Sequence, residues 1–254
     1  MSVNLETTPV LRVTTPQGHL LPLTIQWQGE QAFSLVAPPA IDTTTHAIIR
    51  RLFRQLQHAS LSFITDLIPA YHSLTIVFDS KLLFVEKANE SPGQQALQQV
   101  MQLLSESSLA VKEECRMVRI PVCYHPSVAP DLQALAAYLQ RSIDEIINIH
   151  TATTYRVFML GFLPGFAYMG PVDQRIVAPR HDRPRPDVPA GSVGIAGAQT
   201  GIYPVLSPGG WQLIGRTPFK LFTPQQLPPC LLQPGDEVVM YPISLDEFNQ
   251  WPTT

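Results

Sequence analysis

Ile48, Ile49, Leu52, Phe53 and Leu56 recur three and four residues apart, behind Asp42 and three threonines at 43–45 that suit a helix cap. This spacing predicts an amphipathic helix over residues 43–58. A second helix is predicted from Ser91 as N-cap and Pro92 in the first turn, with Leu97, Val100, Met101 and Leu104 on one side. Residues 32–36, 74–78 and 82–86 carry alternating, β-branched-rich runs and are expected to be strands. Together they describe a small N-terminal α/β sandwich of roughly 100 residues, a size able to hold its own core.

From residue 117 the pattern predicts a strand over 117–124 and a helix over 130–140 with Leu132, Leu135, Ala136 and Leu139 inward. Ser142 followed by Glu145 is a capping-box pair that should open another helix ending near His150. Beyond it the texture changes to short apolar runs at 155–160, 193–196, 202–206, 211–214 and 237–241, divided by turn residues. Fifteen of the 25 prolines and eleven of the 14 glycines lie in 161–254. Short strands separated by turns favour a β-barrel or sandwich. The fold class expected is therefore α+β, with an N-terminal domain at 1–112 and a C-terminal β domain at 113–254.

Composition narrows the function. Seventeen basic against 20 acidic residues give a net charge of -3, and charged residues are only 15% of the chain. That is low against roughly 25% in an average soluble domain, so no nucleic-acid partner is expected, and part of the surface is expected to be covered by another subunit. The three cysteines, Cys115, Cys123 and Cys230, form no C-x-x-C pair, and the seven histidines form no H-x-H or H-x-x-x-H pair. Neither a disulfide framework nor a metal site is expected. The start of the chain lacks a signal-peptide pattern and the longest apolar stretch is broken by Pro164, so a cytoplasmic protein with no membrane partner is expected.

Candidate chemistry gathers in the proline- and glycine-rich part. GSVGIAGAQTG at 191–201 is either an anion-binding backbone loop or a strand with tight turns; it is neither a Walker A loop nor a dinucleotide fingerprint. Arg175, Arg180, His181, Arg183 and Arg185 stand among Pro179, Pro184 and Pro186, which suits either carboxylate binding or an exposed loop. Phe162, Phe166, Tyr168 and Trp211, mixed with turn residues, line a pocket or fill a barrel. His150 is a general base or a capped structural histidine. No G-x-S-x-G elbow occurs.

Two long segments, LGFLPGFAYMG at 160–170 and PRPDVPAGSVGIAGAQTGIYPVLSPGGWQLIGRTP at 184–218, resemble the KipI/PxpB family, also called allophanate hydrolase subunit 1. GEQAFSLVAPP, IPAYHSLTIVFD, IINIH and LLQPGDEVVMYPI extend the resemblance over nearly the whole chain. It implies that the C-terminal domain is a cyclophilin-like β-barrel and that the chain works in a heteromer with a PxpC-type subunit (an allophanate hydrolase subunit 2 homologue) and a PxpA-type subunit. The activity implied is ATP-dependent 5-oxoprolinase, which opens 5-oxo-L-proline to L-glutamate, with ATP held at least partly by the other subunits. The alternatives are a KipI-like inhibitor of a sensor histidine kinase and a urea carboxylase or allophanate hydrolase-type module.

The site is expected in a cleft of the barrel between 161–170 and 184–211. Arg180 and Arg185 are the candidates for the substrate carboxylate, with Phe166, Tyr168, Tyr203 and Trp211 as walls. Gln199, Thr200 and the backbone amides around Gly197 are the candidates for donating to a developing oxyanion, and His150 for relaying a proton.

Overall fold

A computed structural model describes residues 10–14, 19–83, 91–106 and 115–252. The chain divides into two compact units, Met1–Glu113 and Glu114–Thr254.

The first unit is built on an antiparallel sheet of β1 (Val10–Thr14), β2 (Leu20–Trp27), β3 (Ala32–Val36), β4 (Ile64–Pro69) and β5 (Ser73–Phe78), in the order β1-β2-β3-β5-β4. Strand alternation gives it one apolar face: Leu74, Ile76 and Phe78 of β5 are buried while the residues between them are half-buried. Two helices belong to this unit, α1 (Thr43–Ala59) and α2 (Pro92–Glu106). Ile48, Ile49, Leu52 and Leu56 of α1, with Ala96 and Val100 of α2, share a core with Leu23, Phe33 and Leu35 of the sheet. Both helices start where the capping residues predict. Asp42 accepts the Thr45 N–H at 2.8 Å, and Ser91 and Gln94 exchange side chain-to-backbone bonds of 3.2 and 2.9 Å. The strand expected over 82–86 is corrected in part: Leu82 ends a 3-10 turn, Ser80–Leu82, that follows an Asp79 cap, and 84–86 lie outside the described residues.

The second unit contains a closed seven-stranded barrel. Its strands are β6 (Met117–Cys123), β7 (Thr154–Leu160), β8 (Ala167–Gly170), β10 (Ser192–Ala196), β11 (Gln199–Ile202), β13 (Gln212–Arg216) and β14 (Glu237–Ile243), ordered β10-β11-β8-β7-β14-β6-β13. A two-stranded ribbon of β9 (Arg185–Val188) and β12 (Ser207–Gly209) accompanies it. Closure depends on β14 and β6, paired in parallel over seven positions from Glu237↔Met117 to Ile243↔Cys123. Helices α3 (Leu132–Leu139) and α4 (Ile143–Ala152) add Leu132, Leu135, Ile146 and Ile149 to the core formed by Val193, Ile195, Ile202, Ile214 and Val238. Ser142 and Glu145 form the expected capping box at the start of α4. A short helix, α5 (Leu245–Asn249), follows β14. The α+β class and the β-barrel are thus as expected, and no helix among the described residues is long and apolar enough to cross a membrane.

Asp236, 5% exposed, fixes the start of β14 by accepting the Gln233 N–H at 2.8 Å and binding the Arg116 guanidinium through both oxygens. Arg116 is half-exposed, so solvent screens the ion pair, and the larger penalty on truncation is the orphaned amide. Asp236→Ala should lower the stability of the barrel unit by about 2 kcal/mol in chemical denaturation; a change below about 0.5 kcal/mol would show that β14 is anchored without it.

Candidate functional site

The barrel wall is two-sided. On β8, Ala167 and Met169 join the barrel core, whereas Tyr168 packs with a separate cluster of Phe166, Tyr203, Trp211 and Leu213. On β10, Val193 and Ile195 belong to the core, and Gly194 between them lies against Trp211. On β11, Ile202 is in the core, and Gly201 lies under Trp211 and Phe166. A Cβ on Gly201 would stand 2.9 Å from Trp211 Cζ3 and 3.0 Å from Phe166 Cζ, so only glycine lets the rings rest on the strand. Gly209 plays the same part opposite Tyr203, whose hydroxyl would be 2.4 Å from an added Cβ.

The aromatic cluster is centred on Phe166. Its ring meets Tyr168, Tyr203 and Trp211 at 4.8, 5.1 and 5.5 Å, edge to face in each case. Beside it opens a pocket of about 380 Å³ whose walls include Phe162, Tyr168, Arg180, Tyr203, Ser207 and Trp211. The Arg180 guanidinium lies 5.8 Å from the Trp211 ring centroid, in cation–π range. Burial raises the pKa of the Tyr168 and Tyr203 phenols, with the nearby Arg180 charge opposing the shift at both and, ahead of it at Tyr203, a hydrogen bond with the Trp211 backbone. Both therefore remain neutral hydrogen-bonding groups at neutral pH. Two further hollows, of about 290 and 580 Å³ in the first unit, have no cation among their described lining residues.

Five of the residues expected at the site, Phe166, Tyr168, Arg180, Tyr203 and Trp211, thus line one pocket. The other five do not. His150 is fully buried in the core, with Nδ1 2.8 Å from the Tyr124 hydroxyl and Nε2 3.2 Å from Thr200 Oγ1. Thr200 Oγ1 donates to Gly194 O at 3.0 Å, so it accepts from His150 Nε2–H, which leaves Nδ1 to accept from Tyr124. Burial lowers the His150 pKa to about 3, and the imidazole is a neutral structural link rather than a relay working near neutral pH. Thr200 pairs with Met169 and Ile195, which puts it on the inner face beside them. Gly197 lies in the β10–β11 turn at φ 58°, and its N–H is committed to Ala178 O at 2.6 Å, so it has no free amide for an oxyanion. Gln199 is half-buried at the start of β11, away from the pocket lining.

Arg185 is also committed. Its guanidinium binds Asp131, a side chain only 6% exposed, whose other oxygen accepts the Leu213 N–H at 2.6 Å. His181 Nε2 lies 3.2 Å from that same oxygen, within ion-pair reach but off the line of a hydrogen bond. Asp131 precedes α3 yet makes no side-chain cap bond, because its carboxylate is turned to these partners instead. Sequence reasoning passed over Asp131 and Ser207. The aspartate resembles an ordinary helix cap, and the serine belongs to a turn-like Ser-Pro-Gly-Gly run.

Residues 23–232 match the family described as "Carboxyltransferase domain, subdomain C and D". The chain belongs to this family. Among its relatives, the B subunit of 5-oxoprolinase from Bacillus subtilis is 39% identical over 90% of this chain and 98% of its own length. The protein of the same name from Escherichia coli O157:H7 is 37% identical over 84% of this chain and 93% of its own. The crystal structure of TTHA0988 superposes with a TM-score of 0.72 at 32% identity over 84% of this chain, which spans 40% of that one. The proline- and glycine-rich segments that carry the resemblance are those that form the aromatic pocket.

The neutral state of His150 has a pH consequence. Its folded pKa lies below the ordinary value near 6.5, so below pH 6.5 the unfolded chain binds a proton that the folded chain refuses. Stability should fall with acidification by about 1.4 kcal/mol per pH unit from this group, making the loss between pH 7 and pH 5 about 2 kcal/mol greater than in His150→Gln. Denaturant titrations of both proteins at the two pH values measure it. Parallel losses would mean that the imidazole is protonated in the folded state.

Proposed function

We propose that this chain is the B subunit of a heteromeric, ATP-dependent 5-oxoprolinase, and that its barrel pocket holds 5-oxo-L-proline while A-type and C-type subunits complete the active site. The observation that carries this reading is the match to relatives named as 5-oxoprolinase B subunits over nearly their whole length. The relatives named as urea amidolyases are matched over only 8% and 9% of their own length. The pocket chemistry agrees. A lactam ring has two flat faces that suit aromatic walls, its carboxylate suits the Arg180 guanidinium, and its carbonyl suits a protonated phenol from Tyr168 or Tyr203.

The pocket does not suit ATP. Arg180 and His181 are the only basic side chains among its described lining residues, its walls are mostly apolar, and the Gly197 amide is bonded elsewhere. A triphosphate calls for a cradle of free amides and cations. Nucleotide contacts are therefore assigned to the other subunits, and Arg185, neutralised by Asp131, is assigned to holding the pocket wall.

Mixing the purified chain with A-type and C-type subunits, ATP and 5-oxo-L-proline should yield L-glutamate, and omitting this chain should abolish it. Within that complex Arg180→Ala should raise KM by roughly 10- to 100-fold with a smaller change in kcat, as expected for losing a charge-assisted carboxylate contact. No glutamate from an assembled complex, or an unchanged KM, contradicts the reading. Size-exclusion chromatography with light scattering should show co-elution with the C-type subunit at micromolar concentration; separate elution contradicts the heteromer.

A further inference from the structure

Phe162 has a left-handed backbone, φ 66°, in a three-residue turn closed by the Leu163 N–H on Gly161 O at 2.8 Å. That is the positive-φ form of the γ-turn, rare and strained for a residue with a side chain. The ring gains little burial in exchange. It is 61% exposed, touches Phe166 edge to face at 5.6 Å, and stands at the rim of the barrel pocket. A strained backbone holding a large apolar ring in water is unfavourable twice over for the isolated unit, and such strain collects where a ligand is clamped.

Ser207 is a second, independent oddity of the same pocket. It is 6% exposed, and its Oγ finds no hydrogen-bond partner among the described residues. A buried hydroxyl left unpaired costs free energy that an ordinary core position would have removed by substitution with alanine. Ser207 sits on β12 among the residues that line the pocket, next to Pro208 and Gly209.

We infer that Phe162 and Ser207 set the ligand class of this pocket: a compact, flat-ringed acid whose ring face lies against Phe162, whose polar ring atoms reach Ser207, and whose anionic group faces Arg180. This rests on the pocket being the small-molecule site proposed above and deepens it by naming two residues that select ring over open chain. The cap supplies van der Waals and stacking contact that a flexible chain of equal size cannot match without losing rotational freedom. Glycine at 162 would adopt the same turn without strain.

Saturation-transfer and titration NMR on the full chain tests this with two probes of equal heavy-atom count, 5-oxo-L-proline and the open-chain N-acetyl-L-alanine. The wild type should bind the ring probe roughly tenfold more tightly. Phe162→Gly should lose about that factor for the ring probe only, with a melting temperature equal to or above wild type. Ser207→Ala should weaken ring binding several-fold without loss of stability, because the hydroxyl it removes has no partner to orphan. Absence of ring-probe binding, an unchanged preference in Phe162→Gly, or destabilisation without weaker binding in Ser207→Ala would overturn the inference. If Phe162→Gly binds both probes normally but no longer assembles with the other subunits, the ring belongs to a protein interface and the inference fails. Ring-selective binding by a chain whose complex makes no glutamate removes the proposed reaction and leaves this inference standing; glutamate production with Phe162→Gly at wild-type KM does the reverse.

Discussion

The outer face of the barrel wall lacks side chains where the aromatic cluster lies on it, and the site depends on that bare face. A strand presents alternate residues to opposite sides, so the glycines at 194 and 201 clear one side while Val193, Ile195, Thr200 and Ile202 fill the other. Trp211 and Phe166 then lie directly on backbone, and their rings become the floor of a pocket outside the barrel. Any side chain at 201 would push both rings off the wall. The concentration of glycine and proline here is therefore a packing requirement of the rings as much as a turn signal.

The inner face answers a different problem, that of keeping polar groups inside a closed apolar core. Tyr124, His150, Thr200 and the Gly194 carbonyl form one chain in which each group has a partner, and burial keeps the imidazole neutral so that no charge is stranded. The hydroxyl of Thr200 reaches the carbonyl of Gly194, so the strands bearing the outer glycines are tied from within. Asp131 does comparable service at the pocket's edge, holding Arg185 of the ribbon and the backbone of Leu213 in β13 from the residue before α3. These buried polar groups shape the pocket wall without lining it.

Much of the fold could be read in the chain because its signals are local. The capping pairs at Asp42, Ser91 and Ser142 and the apolar stripes behind them place α1, α2 and α4 within a residue or two. Strands β3, β10 and β14 follow their short apolar or β-branched runs. The pairing of β1 with β2 was not legible, in part because Pro22, third of the eight residues of β2, argues against a strand inside a sheet. The aromatic half of the candidate site was legible because its rings stand in two segments rich in glycine and proline, which the structure gathers at one pocket. Its polar half was not. His150, Thr200 and Gln199 look like neighbours of the pocket in sequence, but a strand's register decides which face a residue serves, and Thr200 and Gly201 face opposite ways. Asp131 finds Arg185 and Leu213 54 and 82 residues away, a relation that no spacing rule reports.

The proposed ligand site is the outer pocket and not the polar interior. The most direct measurement is a crystal structure of the assembled complex with 5-oxo-L-proline. The ring should lie over the aromatic floor of Phe166 and Trp211, with its carboxylate within hydrogen-bonding distance of Arg180 and the Tyr124–His150–Thr200 chain unchanged. A ligand seated against His150 and Gln199, or held wholly by the other subunits with the pocket of this chain empty, would contradict it.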